Sequence, residues 1–157
     1  MVIVDAQSVK NTDTAREKGY DAGKKISGIK RHIAVDTNGL LHGVKVTTAN
    51  VTDRDGAILL SKESKGNFSL VEKMLVDSGY SGEKFAVVIK KTIDAVVEVV
   101  KRNELHKFKV LPRRWVVERS FAWLEKCRRL WKNCERKLHT SAQMIALAFI
   151  SLMLRRH

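Results

Sequence analysis

Val2-Ile3-Val4 opens the chain as a short apolar run that stops on Asp5, the pattern of a buried strand. Residues 11–28 are polar and carry Gly19, Gly23 and Gly28, which predicts a loop. Lys30 to Asp36 then alternates basic and apolar residues, as a half-buried strand does. Thr37-Asn38-Gly39 supplies the turn of a hairpin into a third strand over Leu41 to Thr48. A turn over Asn50 to Asp55 leads to a helix over Gly56 to Lys62, with Asp53 or Asp55 as its cap. Met74-Leu75-Val76 is a second apolar run, and it too ends on an acid, Asp77, closing a fourth strand that starts at Lys73. A helix over Glu83 to Lys91 and a fifth strand over Ala95 to Val100 follow. Beyond them, residues 103–112 link to a long helix from about Arg113 to Trp131. A last helix, Thr140 to Arg156, starts at a capping box, Thr140-Ser141-Ala142-Gln143.

Three strands, then helix, strand, helix, strand and finally helices make an α/β fold, a mixed sheet flanked by helices. That is the order of a ribonuclease-H-like domain with a C-terminal helical section. The 157 residues fit one such domain, with the sheet and its helices over 1–100 and further helices over 113–156. In this architecture carboxylates from the first strand, the end of the fourth strand and a late helix converge. Asp5, Asp77 and Glu118 hold those places. Such a set of carboxylates can hold a pair of divalent cations, a standard arrangement for breaking and joining phosphodiester bonds.

Charge narrows the partner. Lys and Arg number 30 against 17 Asp and Glu, a formal net charge of +13, which points to a polyanion. A membrane is the weaker reading, because the longest apolar stretch, Ala142 to Leu154, contains Gln143 and Ser151 and falls short of the ~20 residues of a span. The strand-like N-terminus leaves no room for a signal peptide. Cys127 and Cys134, seven apart with no zinc-finger partners, read as reduced thiols, so a cytoplasmic, nucleoid-associated protein is expected.

Several segments carry a resemblance. Leu111-Pro112-Arg113-Arg114-Trp115-Val116-Val117-Glu118-Arg119-Ser120-Phe121-Ala122-Trp123-Leu124 resembles the segment around the catalytic Glu of bacterial insertion-sequence transposases of the DDE type, nearest to the group numbered five. Val4-Asp5-Ala6-Gln7-Ser8-Val9-Lys10 is similar to the strand bearing that family's first Asp, and Val76-Asp77-Ser78-Gly79-Tyr80 to its second-Asp motif. Gly19 to Lys25, Lys30-Arg31-His32 and Ala49 to Gly56 are similar to family segments in the same order. Three departures stand out. Family members usually begin with an additional helical region, whereas this chain starts at the catalytic strand and looks like the catalytic portion alone. Leu111 stands where related groups carry Tyr. Glu125 stands where they carry a basic residue, with Lys126 one step on.

The resemblance implies Mg²⁺-dependent hydrolysis and strand transfer on DNA, with Mn²⁺ as a substitute. Asp5 would bridge two ions, and Asp77 and Glu118 would each complete one site. It also implies transposon ends and target DNA as partners, a homodimer, and a separate N-terminal fragment as a further partner. The residues alone leave blander readings open: Asp5 and Asp77 as strand-ending turn residues, and Glu118 as one half of a surface pair with Arg114. Lys24, Lys25, Lys30 and Arg31 around the first hairpin, with Arg113, Arg114, Arg119, Arg128 and Arg129 around the late helix, are expected to track a phosphate backbone. His32 reads as structural, and Trp115, Trp123 and Trp131 as packing residues of one long helix. Two other functions fit the same features: an inactive remnant that binds DNA without cutting, and a structure-selective nuclease on the same fold.

Overall fold

A computed structural model describes residues 1–100 and 114–155. Six strands and four helices follow in order: β1 (Val2–Lys10), β2 (Gly19–Asp21), β3 (Ile26–Val35), β4 (Leu41–Thr48), α1 (Asp53–Glu63), β5 (Lys73–Asp77), α2 (Glu83–Ile93), β6 (Val96–Val100), α3 (Arg114–Glu125) and α4 (Leu138–Leu154). All strands join one sheet. β3 lies antiparallel to β1 on one side and to β4 on the other, while β1, β5 and β6 run parallel. The short β2 pairs with the first residues of β3. This is the mixed sheet that the element order predicts.

Alternation along the strands sorts side chains onto two faces. Ile3 and Val9 of β1, Ile29, Ile33 and Val35 of β3 and Leu75 of β5 form one core with α3 and α4. Val2, Val4, Ala34, Met74 and Val76 form the other core with α1 and α2. Asp5 shares its face with Ile3, and Asp77 shares its face with Leu75. Both acids therefore face the side of the sheet that α3 covers. Among the described residues, no helix is long and apolar enough to cross a membrane.

Several elements differ from the sequence expectation, each for a packing reason. The first strand runs on to Lys10 through polar Gln7 and Ser8, because β3 pairs with it from Ile3 to Lys10. The expected loop over 11–28 contains β2. Thr52, not Asp53 or Asp55, caps α1: its hydroxyl accepts from the Asp55 amide at 3.1 Å. α4 starts at Leu138 with Lys137 in the cap position, so Thr140 lies inside the first turn and no capping box forms. The long helix ends at Glu125 instead of Trp131. Its successor turns back so that the Asn133 amide donates to the Lys10 carbonyl at 2.9 Å and the Thr12 amide donates to the Asn133 carbonyl at 2.9 Å. That stitch extends the β1 edge and buries Leu130.

Two positions expected to meet DNA are used inside the fold instead. Lys30 is buried, and its ammonium lies 2.9 Å from Asp53 and 3.5 Å from Asp21 while donating to the Val51 carbonyl at 2.8 Å. Arg31 is 1% exposed, and burial lowers its pKa to about 10. Neither lies on a surface that a phosphate backbone could track. Arg119 is likewise engaged: its guanidinium lies over Trp115 (4.3 Å) and Trp123 (4.7 Å) and donates to the Asn38 carbonyl at 3.0 Å. These contacts clamp α3 onto the β3–β4 turn, where Gly39, at φ 86°, has the left-handed conformation that glycine allows. Arg113 and the linking segment 103–112 lie outside the described residues.

Candidate active site

The parallel pairing of β1 and β5 sets the two aspartates beside each other. Ile3 pairs with Leu75, and two residues on from that pair come Asp5 and Asp77. Each carboxylate has one oxygen fixed by backbone. Asp5 Oδ1 accepts from the Ala6 amide at 2.8 Å, and Asp77 Oδ1 accepts from the Gly79 amide at 2.8 Å. The second bond folds Ser78–Tyr80 into a single 3-10 turn. A side chain at Gly79 would press on Asp77 Oδ1 at 3.0 Å, so the glycine keeps that carboxylate in place. Tyr80 turns inward, 1% exposed, and packs on Phe85 beneath the site. Burial raises its pKa, with Asp5, Asp53 and Asp77 adding to the effect, so the phenol stays neutral.

Arg114, at the start of α3, closes the outer side. Its guanidinium lies 3.3 Å from Asp77 and 3.5 Å from Glu118, one turn along the helix. A small pocket is lined by Asp5, Asp77, Arg114, Val100 and Val117. The three acids named from the sequence thus gather at one end of the sheet, but with unequal roles in this arrangement. Asp5 and Asp77 are neighbours on the sheet, while Glu118 is mostly exposed and engaged by Arg114. Among the described residues, no group of three or more His, Cys, Asp or Glu side chains lies close enough to hold a metal ion. The donor chemistry nevertheless fits a hard divalent cation: the ligands on offer are carboxylate oxygens, and the two on the sheet are pre-oriented by backbone amides.

Burial pushes the Asp5 carboxyl up to about 6, and the neighbouring Asp77 charge adds to the shift; the Ala6 amide, Arg114 and Lys24 act against it. A raised carboxyl favours folding below its unfolded value of 3.8 and opposes it as pH climbs through about 6. Asp5→Asn is therefore expected to stabilise the metal-free protein at pH 7 by about 2 kcal/mol, an advantage gone by pH 4. His32, which burial holds down at about 4, titrates with the opposite sign: its contribution is present above 6.5 and fades as pH falls towards 4. It is common to both proteins and cancels in the difference. Urea unfolding of both proteins in EDTA at pH 7 and pH 4 checks this. An equal difference at both values would contradict it.

Lys24 is the site residue whose place the sequence did not reveal. It was grouped with the general phosphate contacts, yet its ammonium donates to the Ala6 carbonyl at 3.3 Å, next to Asp5, whose pKa it helps lower. A chain of polar contacts puts it there. Asp21 Oδ1 accepts from the Lys24 amide at 3.1 Å, while Asp21 Oδ2 accepts from the Ser8 hydroxyl and pairs with buried Lys30. These contacts hold the Asp21 carboxyl down at about 2, the Ser8 bond foremost. The Arg114–Asp77 contact was also not foreseen; only the Arg114–Glu118 half follows from helix spacing. Lys25, Arg128 and Arg129 lie on the surface, Arg129 paired with Glu135 at 2.8 Å.

The fold has a solved counterpart. The crystal structure of the catalytic core domain of BIV integrase is similar with a TM-score of 0.56 and 14% identity, over 96% of this chain and 81% of that one. The sheet order and this likeness make the fold ribonuclease-H-like. No curated protein matches the chain. The family described as "Transposase DDE domain" matches residues 1–154. With its paired aspartates at the ends of adjacent parallel strands and a match over nearly its whole length, this chain belongs to the transposase DDE domain family.

Proposed function

We infer that this chain is the catalytic domain of an insertion-sequence transposase, cutting and rejoining DNA at the element's ends in a metal-dependent reaction. One observation carries the reading most: Asp5 and Asp77 stand side by side on neighbouring parallel strands, facing the helix that bears Glu118, in a transposase-family chain. Asp5, Asp77 and Glu118 would hold Mg²⁺ or Mn²⁺, which when bound activates the attacking oxygen and stabilises the leaving one. The chain's own residues prepare that reaction. Arg114 offsets the charge of Asp77 and Glu118, Tyr80 seals the floor against water, and Lys24 brings a cation to the Asp5 side, where a phosphate would dock. The test is nicking of a supercoiled plasmid by the wild-type chain in Mg²⁺, Mn²⁺ or EDTA. Nicking only with metal supports the reading; DNA binding without nicking under any metal would overturn it in favour of a binding remnant.

Lys24 gives a finer check. If its ammonium stabilises the phosphate that reacts beside Asp5, Lys24→Ala should slow nicking about a hundredfold, the usual cost of losing one charge-stabilising donor. Lys24→Arg should restore part of the rate, and plasmid affinity should change little. Single-turnover nicking alongside filter binding separates the two effects. A loss of affinity matching the loss of rate would make Lys24 an ordinary backbone contact.

A further inference from the structure

The end of β1 remote from the paired aspartates carries two grooves that meet at Lys10. One is lined by Gln7, Lys10, Glu125, Trp131 and Lys132, and the other by Lys10, Lys18, Tyr20 and Lys25. Trp131 and Tyr20 are large aromatic residues left open to solvent, 62% and 56% exposed. Trp131 is not a packing residue of α3, as a continuous helix would make it. The helix has ended, and the Asn133 stitch to Lys10 and Thr12, reinforced by the Asn133 side-chain amide donating to Asn11 Oδ1 at 3.0 Å, fixes the following segment against β1. Lys132 lies 4.6 Å from the Trp131 ring, putting a cation beside the aromatic surface. Of the acids that line the grooves, Glu125 is held by the Gln7 amide at 2.7 Å. Asp13 is the other, so Lys10, Lys18, Lys25 and Lys132 leave the surface net positive.

We propose that this double groove binds an unpaired DNA strand running from the active site, with bases stacked on Trp131 and Tyr20 and phosphates held by Lys10, Lys18, Lys25 and Lys132. Positive grooves interleaved with aromatic rings are how single strands are bound without sequence preference. A duplex hides its base faces and could use only the lysines. The track begins at Gln7, two residues along β1 from Asp5, so a strand end at the aspartates passes into the first groove. The inference rests on the proposed action on DNA for its direction, but not for its test.

The test is fluorescence anisotropy of the full chain with a labelled thymine oligonucleotide of about 12 nucleotides and a duplex of equal length, at one fixed salt concentration. Trp131→Ala and Tyr20→Ala should each weaken single-strand binding about fivefold or more and leave duplex binding within about twofold. Trp131→Phe should keep most of the affinity, because it keeps a ring. The Lys10→Ala/Lys132→Ala pair should lower the salt slope by about two for the single strand. Circular dichroism confirms that each variant is folded. Equal losses on both substrates, no loss on either, or no binding of the oligonucleotide by the wild type would each overturn the proposal. Plasmid nicking is scored separately, so a single-strand site on a chain that does not cut, or cutting without a single-strand site, identifies which reading fails.

Discussion

Asp77→Ala is expected to abolish metal-dependent nicking while leaving DNA binding in place. A site that stabilises transition-state charge through carboxylate-held metal contributes several kcal/mol, so its loss lowers the rate roughly 10²- to 10³-fold. The structure makes Asp77 the sharpest choice of the three acids. It lies beside Asp5, ends its strand in a turn that its own carboxylate holds, and pairs with Arg114. Removing it also frees Arg114 to pair with Glu118 alone, so the variant gains no uncompensated buried carboxylate. Plasmid affinity should hold or rise slightly, since a negative charge leaves a basic surface. Nicking of relaxed and supercoiled plasmid, with retention on a DNA filter as the control, measures both. Undiminished nicking by Asp77→Ala would mean that the paired aspartates do not form the catalytic centre.

The second large effect concerns stability. Gly56 lies in the first turn of α1, where alanine would ordinarily improve a helix by about 1 kcal/mol. Here the sign should reverse. A methyl group at Gly56 would overlap the ring of His32, a residue buried on β3 with its Nε2 2.9 Å from the Thr47 hydroxyl. The ring cannot swing away without leaving that partner, and overpacking of this kind costs about 3 kcal/mol. Gly56→Ala is therefore expected to destabilise by about that amount in urea unfolding. The Gly56→Ala/His32→Ala double variant should cost at least about 1 kcal/mol less than the sum of the single changes. Additive costs would mean that α1 shifts freely on the sheet. His32 is thus structural, as its place in the sequence suggests, and its structural job is to seat α1.

Much of the fold was legible because it rests on local patterns. The runs Val2–Val4 and Met74–Val76 could be buried strands and little else, and the hairpin around Thr37-Asn38-Gly39 carries its own turn chemistry. The strands from Leu41 to Thr48 and from Lys73 to Asp77 have the expected bounds. Legibility failed where a partner far along the chain decides the outcome. Gln7 and Ser8 look like loop residues until β3 pairs with them. Trp131 and Leu130 look helical until Asn133 is drawn to the end of β1. Lys30 and Arg31 look like surface charges because alternation alone cannot tell a sheet with one covered face from a sheet covered on both.

The candidate site divides in the same way. Acids that end apolar strands announce themselves in the sequence, since a carboxylate directly after a buried run must emerge where the strand does. The sequence by itself therefore determined the strand-borne positions of Asp5 and Asp77, the helix that carries Glu118, and the excess of positive charge. Only the tertiary structure decided that Asp5 and Asp77 are neighbours, that Arg114 joins Asp77 to Glu118, and that Lys24 reaches the Asp5 side. It also removed Lys30, Arg31 and Arg119 from the surface charge by engaging them in the fold. The physical reason is common to all of these. Periodicity and turn chemistry are encoded within a few residues, whereas the pairing of β1 with β5 and the burial of a charge depend on segments tens of residues apart, whose free energy appears only once the sheet has closed.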